Sequence, residues 1–215
     1  MIATMSDHGL TNAPDGTRRC AWAGAREDYQ TYHDTEWGRP QGDRRALFEK
    51  LCLEGFQAGL SWITILRKRE AFRELFENFE PERLARFEDA EVERILADER
   101  IVRHRAKILS AINNARRIDA LEAAEGRSFQ AFVWSFEPGP DARPDVVDHA
   151  FVAANPVTPA STALSKALKR HGFSFVGPTT LQAFMQAMGL VNDHVEGCAC
   201  RAPCEAERAA FQRPR

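Results

Sequence analysis

Two cysteines and two histidines are candidate metal ligands. Cys20 and His33 lie early in the chain, and His194 and Cys198 lie late with a spacing of four residues. Residues at i and i+4 of a helix project from one side, so the later pair can face one ion. Two thiolates and two imidazoles suit tetrahedral Zn²⁺ with no open position, which is typical of a structural site. Spacing alone leaves the alternative of two unrelated buried cysteines and two surface histidines.

A second candidate site combines one carboxylate with aromatic rings. Glu54 lies inside the apolar run LEGFQAGLSW (53–62), where an acid is unexpected. Four aromatic residues precede or follow it: Tyr29, Tyr32, Trp37 and Trp62. Aromatic faces beside a carboxylate can form a slot for a flat, electron-poor or cationic ring. Core packing is the alternative for the rings, and an exposed helix face is the alternative for Glu54.

A third feature is the segment HGFSFVGP (171–178), which separates two helical patterns. A tight turn with glycine between two helices can direct backbone N–H groups, here those of Val176 and Gly177, at a phosphate. Three cations stand just before it: Lys166, Lys169 and Arg170. A second basic cluster is RHRAK (103–107). Each cluster also fits a solvated helix face.

Helices must position these residues, because sustained strand alternation is absent and helical spacing recurs along the chain. From Asp43 onward, Leu47, Leu51 and Ala58 fall on one helical stripe with Glu54. Gly55 and Gly59 weaken this helix, and Ser61 can cap the next one, so Gly59 and Leu60 are expected in a turn. The pattern predicts an all-α fold.

The 215 residues suit one domain, which we place over 20–198, between a disordered leader (1–19) and a C-terminal tail (199–215). The formal net charge of −2 disfavours a nonspecific nucleic-acid coating protein but allows a local basic patch. No signal peptide or membrane span is visible, so we expect a cytoplasmic protein, in the bacterial cytosol or nucleoid. Five cysteines in a reducing compartment indicate thiols or metal ligands, and Cys200 and Cys204 compete as ligands.

Several long strings in order resemble the 3-methyladenine DNA glycosylase I family. They are RCAWA (19–23), YHDTEWG (32–38), LFEKLCLEGFQAGLSWITIL (47–66), RHRAKI (103–108), FVWSF (132–136), SKALKRHGFSFVG (165–177) and FMQAMGLVNDHVEGC (184–198). The resemblance implies a helix-hairpin-helix repair fold that hydrolytically removes 3-methyladenine from alkylated double-stranded DNA. It also implies a structural zinc on Cys20, His33, His194 and Cys198, which clips the two ends of the domain together.

The same resemblance implies a base pocket at Glu54, Tyr29, Tyr32, Trp37 and Trp62. Methylation at N3 makes adenine cationic, so we expect Glu54 to accept hydrogen bonds from the flipped base and complement its charge, with Trp62 or Trp37 stacked on the ring. The turn with Gly59 and Leu60 is expected to press into the gap left by the base.

No lysine is placed as an obvious Schiff-base nucleophile, so we expect a monofunctional glycosylase, acting as a monomer, that leaves free 3-methyladenine as its product. Asp193 is expected to orient the neighbouring His194. One departure from the family pattern is Phe175, where the hairpin commonly has glycine, which makes phosphate binding by the turn less secure. The alternative function is a zinc-stapled, non-catalytic binder of alkylated DNA or purines.

Overall fold

The computed structural model describes residues 9–215, and helices make up most of that part of the chain. A short antiparallel hairpin precedes twelve α-helices in the described residues. The elements are β1 (Leu10–Asn12), β2 (Arg18–Cys20), α1 (Glu27–Thr35), α2 (Arg44–Gln57), α3 (Trp62–Leu66), α4 (Arg69–Leu75), α5 (Pro81–Leu84), α6 (Asp89–Ala97), α7 (Arg105–Glu125), α8 (Phe129–Trp134), α9 (His149–Ala154), α10 (Pro159–Arg170), α11 (Pro178–Ala187) and α12 (Arg201–Ala210). The all-α fold predicted from the sequence is confirmed in its mostly helical content, whereas the two-stranded hairpin was not predicted.

Helix α2 lies at the centre of the fold. It begins where the Asp43 side chain accepts a hydrogen bond from the Ala46 amide at 2.8 Å, as expected of an N-cap. Every residue from Leu47 to Phe56 is buried, and the helix packs against α3, α7, α8 and α11. A helix enclosed all round can hold a charged side chain only if a partner compensates its desolvation.

The longest helix, α7, supports α2 from one side and packs on α5, α6 and α8 from the other. It ends at Gly126, whose φ of +63° places it in the left-handed conformation that closes many helices. Phenylalanines from α2 and α4 fill the adjoining core, with the rings of Phe56 and Phe72 4.5 Å apart. Over residues 9–215, none of the helices has the length and apolar character needed to cross a membrane.

The sequence predicts a disordered leader over 1–19. Residues 9–19 are instead ordered in the structure, and residues 1–8 lie outside the described residues. Strands β1 and β2 pair Leu10 with Cys20, and the Leu10 side chain is buried. The guanidinium of Arg19 pairs with Asp34 at 2.8 Å. Polar composition suggested disorder, but these partners order the segment from positions distant in the sequence.

The segment predicted as a C-terminal tail, 199–215, contains α12 and packs on the domain. Cys204 is fully buried, and the Phe211 ring lies 4.6 Å from the Trp134 ring. Arg208 binds the Glu137 carboxylate at 2.8 Å. The folded unit therefore extends beyond residue 198, because α12 covers core residues that a domain ending there would expose.

Candidate functional site

The four predicted metal ligands come together at the junction of the N- and C-terminal segments. Their ligand atoms all lie within 4.8 Å of one another, and all four side chains are buried. His194 Nδ1 is 3.2 Å from His33 Nε2 and 3.5 Å from Cys198 Sγ. Cys20 Sγ lies 3.8 Å from His194 Nδ1. Because β2 and α1 supply two of these residues, the cluster joins the two ends of the fold.

These separations fit a tetrahedral ion. Bond lengths of about 2.0 Å to nitrogen and about 2.3 Å to sulfur give tetrahedral edges of about 3.3 Å between nitrogens and about 3.5 Å between nitrogen and sulfur. Gly38 also fits this arrangement: its φ is +83°, and a Cβ there would lie 3.0 Å from the His194 ring. The donor set and its spacing can hold Zn²⁺ without room for a further ligand.

Outer partners orient both imidazoles toward the cluster. His33 Nδ1 lies 2.8 Å from Asp34 Oδ1, and His194 Nε2 lies 3.0 Å from the Trp37 carbonyl oxygen. If each of these nitrogens carries the proton, His33 Nε2 and His194 Nδ1 keep free lone pairs for a metal. The expectation that Asp193 orients His194 was wrong, because the Asp193 carboxylate binds Arg143 and Gln186 instead.

The two competing cysteines lie beside the cluster rather than in it. Cys200 Sγ is 3.5 Å from Asp34 Oδ1, and Cys204 Sγ is 4.0 Å from the Trp37 carbonyl oxygen. Neither belongs to the Cys20–His33–His194–Cys198 group, but Cys200 forms a second close group with His33 and Asp34, whereas Cys204 is in neither group. The geometry therefore sets Cys204 apart from the metal-ligand cluster and leaves Cys200 at its edge.

The acid and part of the aromatic set form a second group, which we call the cage: Glu54 and Lys50 on α2, Tyr32 on α1 and Trp62 on α3. Glu54 is 5% exposed, which excludes an open helix face. Its carboxylate lies 2.8 Å from the Lys50 ammonium. That ammonium donates to the Tyr32 hydroxyl at 2.8 Å and lies 3.1 Å from the Trp62 ring centroid. Sequence reasoning missed Lys50, although it stands four residues before Glu54.

The electrostatics of the cage follow from its burial. Desolvation lowers the pKa of Lys50 to about 8, against the opposing attraction of Glu54. Desolvation also raises the pKa of Tyr32 well above its ordinary value, and that of the half-buried Tyr29 is raised by the same cause and by Glu54. Both phenols are therefore neutral near pH 7, and the charge of the cage comes from the lysine and the acid.

Trp37 does not join the cage directly. Its ring stacks on His33 at 6.2 Å and meets the His194 ring edge-on at 4.6 Å, so it packs against the metal-ligand cluster. Trp22, which sequence reasoning missed, links the two groups. Its ring centroid lies 4.9 Å from that of Trp37 and 6.4 Å from that of Tyr32, and Tyr29 also packs on it at 5.1 Å. Its position two residues after Cys20 was the available signal.

The turn between α2 and α3 exposes the two residues predicted there. Gly59 has a φ of +79°, and Leu60 is 43% exposed. Lys107 holds this turn from α7: its ammonium donates to the carbonyl oxygens of Phe56 at 2.9 Å and Ala58 at 2.5 Å. Lys107 of the basic cluster RHRAK therefore points inward, and it is not part of an exposed basic surface.

The segment 171–177 connects α10 and α11 and packs against α2. A Cβ on Gly55 would lie 3.4 Å from Phe175 Cβ, so glycine permits this approach. Asn114 of α7 holds the segment through both its donor and its acceptor, at 3.0 and 2.9 Å from the backbone of Ser174. Phe175 adopts a φ of +54°, a conformation that glycine takes more easily than phenylalanine. This agrees with the glycine expected at this position of the hairpin motif.

The predicted basic residues near this segment are on its outer side. Lys166, Lys169 and Arg170 are exposed on α10. Val176 is 1% exposed, backbone included, whereas Gly177 is partly exposed. Hydrogen bonds within residues 9–215 leave the amides of Val176 and Gly177 unused. The Gly177 amide is thus available at the start of α11.

Fold and site together define a mostly helical protein with a buried acid–aromatic cage for a cation, placed beside a cluster of two cysteines and two histidines. The family model described as methyladenine glycosylase matches residues 22–202, and the chain belongs to this family.

Curated relatives match over nearly their whole lengths. DNA-3-methyladenine glycosylase 1 of Escherichia coli is 50% identical over 183 residues, which cover 85% of this chain and 96% of that protein. DNA-3-methyladenine glycosylase of Haemophilus influenzae is 46% identical over 185 residues, covering 86% and 98%. A solved structure of 3-methyladenine DNA glycosylase I from Staphylococcus aureus, which addresses 3-methyladenine recognition, aligns with a TM-score of 0.78 at 39% identity, covering 85% of this chain and 96% of that one.

Proposed function

We propose that this chain is a DNA-3-methyladenine glycosylase, an enzyme that releases 3-methyladenine from alkylated DNA in base excision repair. Family membership and relatives of this activity at 46% and 50% identity support it. The observation that carries the proposal at the level of chemistry is the cage. The Glu54 carboxylate and the Trp62 ring already hold a positive charge, that of Lys50, in a buried position.

A base methylated at N3 is a cation while it remains bound to the sugar. Breaking its N-glycosidic bond returns the bonding electrons to the base, which leaves neutral. Water adds to the sugar and gives up one proton to solvent. The protein therefore needs to bind and orient a good leaving group more than to activate it. We assign Glu54 to accept hydrogen bonds from the base and to balance its charge, with the Trp62 ring as the stacking surface.

We assign Tyr29 and Tyr32 to the base pocket as neutral phenols that lie within the electrostatic influence of Glu54. Trp37 acts through Trp22 rather than by contact with Glu54. The Trp62 indole adds a further group: its Nε1–H is buried and has no hydrogen-bond partner within residues 9–215. Leaving a buried donor unpaired costs about 1–3 kcal/mol. A base acceptor placed against this edge of the ring would remove that cost.

We assign a structural Zn²⁺ to Cys20, His33, His194 and Cys198. The tetrahedral spacing of their ligand atoms and the outer partners of both histidines support this assignment. Such an ion supplies folding free energy and no chemistry at the glycosidic bond, because four protein ligands leave no position for water or substrate.

For DNA contact we propose a helix-hairpin-helix motif made of α10, residues 171–177 and α11. The unused Gly177 amide would face a phosphate, and Lys166, Lys169 and Arg170 would add positive charge. All three of these basic side chains are exposed, as this role requires. Leu60 and Gly59, in the turn next to the cage, would fill the gap in double-stranded DNA after base extrusion, which itself costs a few kcal/mol.

The test is to incubate the protein with duplex DNA treated with a methylating agent and to identify the free bases by chromatography. We expect free 3-methyladenine and an intact strand, with no protein–DNA adduct trapped by borohydride. Binding of the methylated DNA without any released base would support the non-catalytic alternative and contradict the proposal. A trapped adduct would contradict the monofunctional mechanism while preserving the glycosylase assignment.

A further inference from the structure

We propose that Lys50 is a resident cation that occupies the cage between turnovers and gives up its proton when a cationic base binds. This inference rests on the proposed function of the same cage. Lys50 lies inside the cage, but binding of the base and cleavage of its N-glycosidic bond, as proposed above, do not use it.

Geometry places the Lys50 ammonium where the base is expected. It lies 2.8 Å from the Glu54 carboxylate and 3.1 Å from the Trp62 ring centroid. Both are groups assigned to the cationic base. One carboxylate and one ring face, enclosed by protein, cannot be shared by two unit positive charges without strong repulsion. Binding of the base therefore requires Lys50 to lose its charge or to leave.

Leaving with its charge intact is the costlier route. Lys50 is 3% exposed and lies in the middle of the buried stretch of α2. The other charged groups that act on it are Glu36 on the neighbouring segment and Arg69 on α4. Arg69 repels it, and Glu36 is already paired with Arg69 at 2.5 Å. Neither of these two groups is therefore ready to receive a displaced ammonium.

Losing the proton is the cheaper route. Burial has already lowered the pKa of Lys50 to about 8, and an incoming cation lowers it further. The phenols of Tyr29 and Tyr32 have raised pKa values, so they keep their protons over the same range. The proton passes to solvent when the base enters, and the neutral amine remains beside Tyr32.

The cycle closes after bond cleavage. The released base is neutral, so Glu54 loses its cationic partner and the amine recovers a proton from water. The Lys50–Glu54 ion pair then re-forms over Trp62 and competes with the product. The proton released at binding is regained at product release, and a normal neutral base gains no comparable attraction from Glu54 while Lys50 is charged.

Two small ligands distinguish binding that displaces the Lys50 proton from binding that does not. The 3,9-dimethyladeninium ion carries a fixed positive charge, like the methylated base in DNA, whereas 3-methyladenine is the neutral product. Calorimetric titrations in two buffers with different ionisation enthalpies give both affinity and the number of protons released. With a pKa of about 8, about 0.9 proton is released per cation bound at pH 7 and about 0.1 at pH 9. The affinity for the cation should rise about tenfold over that interval, and that for 3-methyladenine should not.

Two variants assign the proton to Lys50. Lys50→Arg keeps a charge that does not titrate, so it should release no proton and bind the cation at least tenfold more weakly than the wild-type protein at pH 9. Lys50→Met should match the wild-type affinity at pH 9, where the wild-type lysine is neutral. Circular dichroism confirms that each variant is folded.

Cation binding by the wild-type protein without proton release, or equal release by Lys50→Arg, would overturn the inference. These results are independent of the base-release assay. If methylated DNA yields no free base but proton release follows Lys50, the proposed function fails and the resident cation stands.

Discussion

Replacing Glu54 with glutamine tests the charge of the cage with little change in shape. A carboxylate and a cationic base about 4 Å apart attract each other by about 4 kcal/mol at an effective dielectric constant of about 20. Glutamine keeps a hydrogen-bond acceptor, so we expect a loss of about 2–4 kcal/mol in transition-state stabilisation. That corresponds to a fall of about 30- to 1,000-fold in kcat/KM.

The same substitution removes the counter-ion of Lys50. Breaking a buried ion pair at one partner costs about 3–5 kcal/mol. Lys50 escapes part of this cost by losing its proton, since burial lowers its pKa to about 8 and loss of Glu54 lowers it further. Between the lower pKa of the variant and about 8, Lys50 is charged in the wild-type protein, whereas in the variant it folds only after losing a proton that the unfolded chain keeps. Above about 8, Lys50 is neutral in both folded proteins. The destabilisation should therefore be largest near pH 6 and shrink as the pH rises to 9.

The assays are initial rates of 3-methyladenine release from methylated duplex DNA and urea unfolding at pH 6 and pH 9. Glu70→Gln is a matched control, because the Glu70 side chain on α4 is 83% exposed and its pairing with Arg73 contributes little. It should change neither kcat/KM nor unfolding by more than about 0.5 kcal/mol. Wild-type kcat/KM in a folded Glu54→Gln protein would refute the reasoning about the cage.

Three further predictions concern the parts that surround the cage. The purified protein should contain one zinc per chain by elemental analysis. Cys198→Ser should lose the zinc and unfold more readily, whereas Cys204→Ser should keep it. A metal-free, fully stable wild-type protein would contradict this prediction. Lys107→Met removes two hydrogen bonds to the turn after α2, so urea unfolding should show that the free energy of unfolding falls by about 2–4 kcal/mol. An unchanged unfolding midpoint would contradict a stabilising role of Lys107 at this turn. Leu60→Ala should reduce excision from duplex DNA more than from single-stranded DNA. The stability should change little, because Leu60 is 43% exposed. Equal losses on both substrates would exclude insertion of Leu60 into the gap left by the base.

Periodicity predicted the helices that carry the site because apolar spacing directly reports burial. The stripe through Leu47 and Leu51 correctly placed Glu54 inside α2. It did not show what compensates the acid. The i, i+4 spacing of Lys50 and Glu54 was present in the sequence, but such a spacing is common on exposed helices, and only the packing of α1 and α3 reveals that this pair is enclosed.

Sequence reasoning was weaker where partners are far apart along the chain. Residues 9–19 have a polar composition, yet they are ordered by Arg19 pairing with Asp34 and by a backbone hydrogen bond from Ala199 to Arg18. Asp193 was expected to orient its neighbour His194, whereas Asp34 and the Trp37 carbonyl orient the two histidines. Adjacency in sequence is a poor guide here because successive side chains point in different directions.

Helix α1 shows how the metal-ligand cluster and the cage depend on each other. Tyr32 and His33 are consecutive, and the Tyr32 hydroxyl reaches Lys50 while the His33 ring reaches Cys198 and His194. The position of α1 against α2 therefore sets the cage, and the ligands fix that position from the opposite side. A structural ion would thus act on base recognition without touching the base, by holding the helix that carries one wall of the cage.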